Sequence, residues 1–133
     1  MSVCFDTNVL VSAIATRGIC ADIVSVLLAE HGLIIGATAL AELRQILAGE
    51  LRLPSALIKE AEGFLRVHAT LVKNPGTRTF QELDSADGAI LAEAIAGKAD
   101  VLVTGDRDLL QVSARVPIKI LSPRGFWELL RSG

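Results

Sequence analysis

Four acids that are far apart in the chain, Asp6, Glu42, Asp87 and Asp106, are the residues best placed for chemistry. Asp6 ends the apolar run Val3-Cys4-Phe5, and Asp106 follows Val101-Leu102-Val103-Thr104-Gly105. Each run is short, rich in β-formers and stopped by turn residues, so each reads as a buried strand with an acid at its carboxyl end. In open α/β sheets, ligands bind outside those ends where strand order reverses; if the two strands are neighbours there, both acids face one crevice. Glu42 comes one residue late for a capping box begun by Thr38, and it shares a face with Ile46 and Gly49 rather than with other charges. Asp87 opens the stripe that Ile90, Leu91 and Ala94 continue, which puts it at the start of a buried face. Each acid also has a plain structural alternative. Asp6 is a good cap for a helix beginning near Val9, Glu42 could be an ordinary exposed Glu, and Asp87 suits the positive end of a helix that Asp84 or Ser85 could cap.

A pocket holding all four has a definite chemistry. Two carboxylates about 4 Å apart repel by roughly 4 kcal/mol at an effective dielectric near 20, so a cation or bound protons must be present. No His or Cys stands beside these acids in sequence, and oxygen-only ligands select a hard ion, Mg²⁺ or Mn²⁺, not zinc. Such ions activate water and stabilise a leaving oxygen, which makes phosphodiester hydrolysis the natural reaction. Thr7, Asn8 and Thr104 suit hydrogen bonds that hold the acids, although Thr7 reads more readily as a turn former with no further role. Asp108 either caps the turn containing Leu109-Leu110 or supports the ion from outside. His31 and His68 read as structural.

The elements that must carry these residues alternate between strand and helix. Strands are expected at Val3–Phe5, Leu33–Ile35, Ala69–Val72, Val101–Thr104 and Ile118–Leu121. Helices are expected at Val9–Ala15, Ala21–Glu30, from Thr38 through Leu47, from Pro54 to about Arg66, from Ser85 to Ala96 and from Pro123 to Leu130. His31-Gly32 closes the second helix with Gly in the left-handed end position, and Gly97 stops the fifth. Asn74-Pro75-Gly76-Thr77 and the stretch to Leu83 read as loop. Nearly all-apolar strands alternating with helices imply an α/β fold, a parallel sheet covered on both faces. Leu-Ala-Glu occurs at residues 28, 40 and 91, at unequal intervals, which is helix composition and not a repeat.

With 133 residues the chain is expected to be one domain, 1–133, able to bury roughly two thirds of its unfolded surface. Its 51% hydrophobic content and mean hydropathy of +0.50 describe a large core, filled by Leu, Ile, Val and Ala because aromatics are few. A net charge of −2 argues against a basic coat for non-specific nucleic-acid binding. Cys4 and Cys20 form no disulfide framework, and Cys4 reads as a small buried hydrophobe. The start lacks a basic leader, and an uncharged run as long as any in the chain, Gly32–Ala41, is half a membrane span, so a soluble cytoplasmic protein is expected.

Read together, Phe5-Asp6-Thr7-Asn8-Val9-Leu10, Ala41-Glu42-Leu43, Asp84-Ser85-Ala86-Asp87 before Ile90-Leu91-Ala92, and Lys98-Ala99-Asp100 before Val103-Thr104-Gly105-Asp106-Arg107-Asp108-Leu109-Leu110 resemble the PIN domains. The likeness is greatest to the toxin components of toxin–antitoxin systems related to the VapC ribonucleases, and it spans nearly the whole chain. It implies a three-layer α/β/α fold with five strands in the order 3-2-1-4-5 and a Mg²⁺- or Mn²⁺-dependent endoribonuclease. Asp6, Glu42, Asp87 and Asp106 match the family's metal-binding acids, and Asn8 and Thr104 match its polar supports. One departure is that Ser85, Ala86 and Gly88 dilute what is often a run of acids. The resemblance further implies a small antitoxin partner, whose basic residue enters the acid pocket, and a homodimer.

Arg17, Arg44 and Arg107 fall near the expected crevice, where they could meet RNA phosphates, though each also reads as an ordinary solvated arginine. Two rival readings remain. A haloacid-dehalogenase-type phosphatase would use Asp6 as nucleophile, but that chemistry wants a second acid two residues on, where this chain has Asn8. A non-catalytic PIN scaffold, acting in RNA or protein binding, would have no need of a full acid set.

Overall fold

In the computed structural model, which describes residues 1–73, 80 and 83–132, five strands form one parallel sheet. They are β1 (Ser2–Phe5), β2 (Gly32–Gly36), β3 (Ala69–Val72), β4 (Val101–Val103) and β5 (Lys119–Leu121), in the order β3-β2-β1-β4-β5. Val3, Cys4 and Phe5 of β1 and all of β4 are buried on both faces, as expected of strands sandwiched between helices. Phe5 pairs with Val103 and Cys4 with Ile34, so β1 is central and its carboxyl end lies beside that of β4. Strand order reverses across this pair, because the chain leaves β1 for β2 on one side and returns to β4 on the other.

Helices α1 (Thr7–Ala15), α2 (Ile19–Glu30), α3 (Ala37–Gln45), α4 (Ser55–His68), α5 (Ser85–Ala96), α6 (Arg107–Gln111) and α7 (Pro123–Ser132) flank the sheet. The core runs through both layers: Phe5, Leu10, Ile23, Leu27, Leu43, Leu91, Leu102, Leu109 and Phe126 are fully buried. No single helix among the described residues is long and apolar enough to cross a membrane. The loop expected from Asn74 to Leu83 lies mostly outside the described residues.

Several local expectations are corrected. The third helix does not run through to Leu47 as an α-helix. It continues as a π-helical turn, Ile46–Glu50, in which the Leu51 N–H reaches the Ile46 carbonyl at 3.0 Å and Leu47 is buried in the core. Arg52 follows in the left-handed region at φ 51°. Pro54 stands just ahead of α4, as its cap, and not inside it. Gly32 is not a left-handed helix end, since α2 stops at His31 in extended conformation and Gly32 begins β2. The turn expected around Leu109-Leu110 is a short helix, α6.

At the end of α5 the left-handed residue is Lys98, at φ 60°, and not Gly97. Ala99 N–H bonds to the Ala94 carbonyl and Lys98 N–H to that of Ile95, the paired closure of a Schellman motif. Gly97 is needed for space. A Cβ there would stand 2.7 Å from Val72 Cγ2 and 3.1 Å from Ile34 Cγ2, and β-branched side chains on packed strands have little freedom to give way. Gly97→Ala is therefore expected to lose about 1–3 kcal/mol by overpacking. Lys98→Gly, which relieves the left-handed penalty, is expected to gain about 1 kcal/mol. Urea midpoints of the two variants check this; a neutral Gly97→Ala would refute the packing account.

Candidate metal centre

Asp6 emerges from β1 with 4% of its surface exposed. Its N–H completes the pairing with β4 through the Val103 carbonyl at 3.1 Å, and Oδ1 accepts the Val9 N–H at 3.0 Å, so Asp6 does cap α1. Oδ2 is left for the site, where it accepts a hydrogen bond from the Thr104 hydroxyl. Thr104 is fully buried, and its Oγ1 in turn accepts the Asp106 N–H at 2.9 Å. A chain of two hydrogen bonds thus ties the backbone that carries one acid to the carboxylate of the other.

Asp106 also starts a helix, accepting the N–H groups of Asp108 at 2.8 Å and Leu109 at 3.4 Å through Oδ1. Asp108 is therefore not the cap of that turn. Asp84 caps α5 by accepting the Asp87 N–H at 2.8 Å, which sets Asp87 within the first turn, facing inward. One carboxylate oxygen from each of Asp87, Asp106 and Asp108 lies within 4.8 Å of the others. Asp108 stands among these acids rather than behind them.

The charges act on one another as such a grouping requires. Asp87 is pushed up to about 6, first by partial burial and then by the charge of Asp106, with Asp84 and Asp108 adding to it. Burial also raises Asp6 above the ordinary carboxylate value. The hydrogen bonds from Thr104 and Val9 oppose that rise, and the charges of Asp106 and Glu42 reinforce it. Cys4, beneath them, is pushed up to about 12 by burial and by the nearby charges of Glu93 and Asp6, and it stays an inert thiol. An all-oxygen donor set at this spacing fits a hard divalent ion that keeps several waters of its own.

Glu42 is half-buried on α3, and its Oε1 accepts a hydrogen bond from the Thr7 hydroxyl at 2.9 Å. Thr7, read as a simple turn former, therefore carries the support expected of Asn8. Asn8 is exposed and makes no side-chain hydrogen bond among the described residues. Asp6 feels the charges of both Glu42 and Asp106, but among the described residues the acids whose carboxylate oxygens come within 4.8 Å of one another are Asp87, Asp106 and Asp108, without Asp6 or Glu42.

Of the three arginines, only Arg107 keeps its place beside the acids, exposed in the first turn of α6 next to Asp106. Arg17 lies beyond the far end of α1, about 15 Å along the helix from Asp6 at 1.5 Å per residue. Arg44 is committed to α4 through a bidentate pair with Glu62, at 2.6 and 2.7 Å. Thr38 does not cap α3; the cap position is Gly36, and Thr38 is itself bound by Glu93. Glu93 is not among the acids that the sequence singles out; it stands inside the run Ile90–Ala94, buried throughout, where a charge demands partners.

Comparison with known proteins fits this geometry. The chain resembles a chain of the VapBC2 complex from Rickettsia felis bound to a DNA fragment from its promoter (TM-score 0.63, 19% identity, 92% of this chain and 98% of that one). It also resembles a chain of VapBC-1 from nontypeable Haemophilus influenzae (TM-score 0.62, 18% identity, 93% and 99%). A third likeness is to a domain of a functionally unknown protein from Methanocaldococcus jannaschii (TM-score 0.55, 22% identity, 91% and 89%). At these identities the likeness is one of fold. A search of the curated proteins gives no match. Residues 2–108 match the PIN domain family, and on that match, over a sheet of the same strand order as the motifs implied, the chain belongs to the PIN domain family.

Proposed function

We propose that this protein is a Mg²⁺- or Mn²⁺-dependent endoribonuclease and the toxin of a toxin–antitoxin pair. The observation that carries the reading is the convergence of Asp87, Asp106 and Asp108 beside Asp6, an arrangement that is costly unless a cation offsets it. A divalent ion, when bound, supplies charge against the oxygens of a phosphodiester and helps water attack it. The chain's own residues then have separable tasks. Asp6, Asp87, Asp106 and Glu42 provide the negative charge that holds the ion. Thr104 and Thr7 fix the carboxylates of Asp6 and Glu42, and Asp108 adds a third carboxylate beside Asp87 and Asp106. In this reading Arg107, exposed beside Asp106, offers its charge to a phosphate of the RNA.

The toxin role rests on the family and on the VapBC complexes that share the fold. An exposed apolar hollow between α1 and α4, about 680 Å³ and lined by Ile14, Leu51, Leu57 and Phe64 among others, supports an antitoxin that covers it. A homodimer belongs to the same reading, and a monomer on size exclusion at high concentration would count against it. The phosphatase alternative is weakened because position 8, where it needs an acid, is an outward-facing Asn.

Asn is as good a helix cap as Asp, so Asp6→Asn and Asp106→Asn should keep α1 and α6 while removing charge from the site. Each is expected to lower Mn²⁺-dependent RNA cleavage at least 100-fold with melting temperature nearly unchanged. Undiminished cleavage by purified Asp6→Asn would refute its role.

In the metal-free protein Asp87 titrates near 6, above its ordinary 3.8, so the folded state takes up its proton more readily than the unfolded state does. Metal-free stability should therefore rise as pH falls from 7.5 to 5.5. Glu62, held low by Arg44, stays ionised across that window and contributes no slope. The rise in melting temperature on adding Mn²⁺ should be larger at pH 7.5 than at 5.5, and Asp87→Asn should flatten the metal-free trend. A Mn²⁺ shift that is absent, or equal at both pH values, would contradict the acid site.

A further inference from the structure

The proposed reaction makes no use of Glu93, yet this residue is 3% exposed and interacts by charge with Glu42. Both of its oxygens accept the Thr38 N–H, each at 3.1 Å, and Oε2 also accepts the Thr38 hydroxyl at 2.9 Å. Thr38 is in the first turn of α3, whose own cap position is Gly36 and offers no side chain. Glu93 therefore caps α3 from a different helix, α5, and puts a negative charge at the positive end of the α3 dipole. The backbone has been shaped for it: a Cβ at Gly36 would lie 2.1 Å from Glu93 Oε1.

Thr38 and Glu42 are four residues apart, so they stack on one face of α3, one turn above the other. The grip on Thr38 thus falls directly beneath the acid that α3 contributes, and Glu93 and Glu42 feel each other's charge. Helix α5, which supplies the grip, also carries Asp87 in its first turn. A slide or rotation of α3 against α5 would move Glu42 relative to Asp87, and Glu93 is the polar contact that opposes it. On the opposite side the Thr7 hydroxyl holds the tip of Glu42 from α1.

We propose that Glu93 is a positioning residue: by clamping Thr38 it registers α3 against α5 and so holds Glu42 in place relative to the other acids of the site. This rests on the acid-site reading above. A buried group that orients metal-holding residues typically contributes 10- to 100-fold to metal affinity, so its loss should appear in binding as well as in stability.

The test is Mn²⁺ calorimetry at 25 °C on the full chain, alongside thermal denaturation, for wild type, Glu93→Gln and Thr38→Val. Glu93→Gln keeps the volume but turns an amide NH₂ toward a donor, while Thr38→Val removes the hydroxyl with little change of shape. Both are expected to bind Mn²⁺ about 10-fold more weakly while fully folded at 25 °C, with the double variant no weaker than about 10-fold, because the two residues form one contact. Wild-type affinity in both variants with a lowered melting temperature would make Glu93 a purely structural cap and overturn the proposal alone. Wild type that binds no Mn²⁺ would overturn the acid-site reading, and this proposal with it. Should Glu93→Gln fail to fold, Thr38→Val decides the matter by the same criterion.

Discussion

The hydrogen bond from the Thr104 hydroxyl to Asp6 joins the carboxyl ends of the two central strands, and the rest of the site is arranged around it. It spans 98 residues of sequence, is closed to water, and is itself oriented by the Asp106 N–H. Parallel pairing of β1 with β4 makes it possible, because the Phe5–Val103 register sets Asp6 and Thr104 at the same level. Against this bond stands the mutual repulsion of the carboxylates. The hydroxyl and amide donors lower that cost locally without removing it, and the residual strain is visible in the raised values of Asp6 and Asp87.

The residues that position the acids come in a consistent form. Asp6, Asp84 and Asp106 all begin helices by accepting backbone N–H groups, while Glu42 and Thr38 are held by side chains from other elements. Capping and chemistry, which compete as explanations when each acid is read singly, are compatible because a carboxylate has two oxygens. At Asp6 one oxygen serves the helix and the other faces Thr104. The site therefore uses helix starts as its mounting points, and strand pairing sets the separation of two of them.

Much of the fold was legible because apolar strands and amphipathic helices declare themselves by period and by breakers. β3 was read to its exact bounds, and the five-strand order followed from the family motifs. What escaped was local and depended on contacts between distant segments. The π-turn at Ile46–Glu50, with Leu47 buried in it, has no signature in a window of sequence that also suits an ordinary α-helix. Thr7 became a support for Glu42 only because α1 and α3 pack together. Glu93 looked like one of three Leu-Ala-Glu triplets, and nothing in the triplet says that this copy is buried while Glu30 is exposed and Glu42 half-buried. Arg44 likewise read as free until α4 presented Glu62 to it.

The doubling of acid and cap has an evolutionary corollary. Exchanging one oxygen for an NH₂ at Asp6 or Asp106 spares the helix start it anchors, so the outline of the molecule is insulated from the fate of its charge. A lineage could shed its reactivity through such single exchanges and still present an unaltered surface to whatever it touches. In a scaffold built this way, shape outlives chemistry.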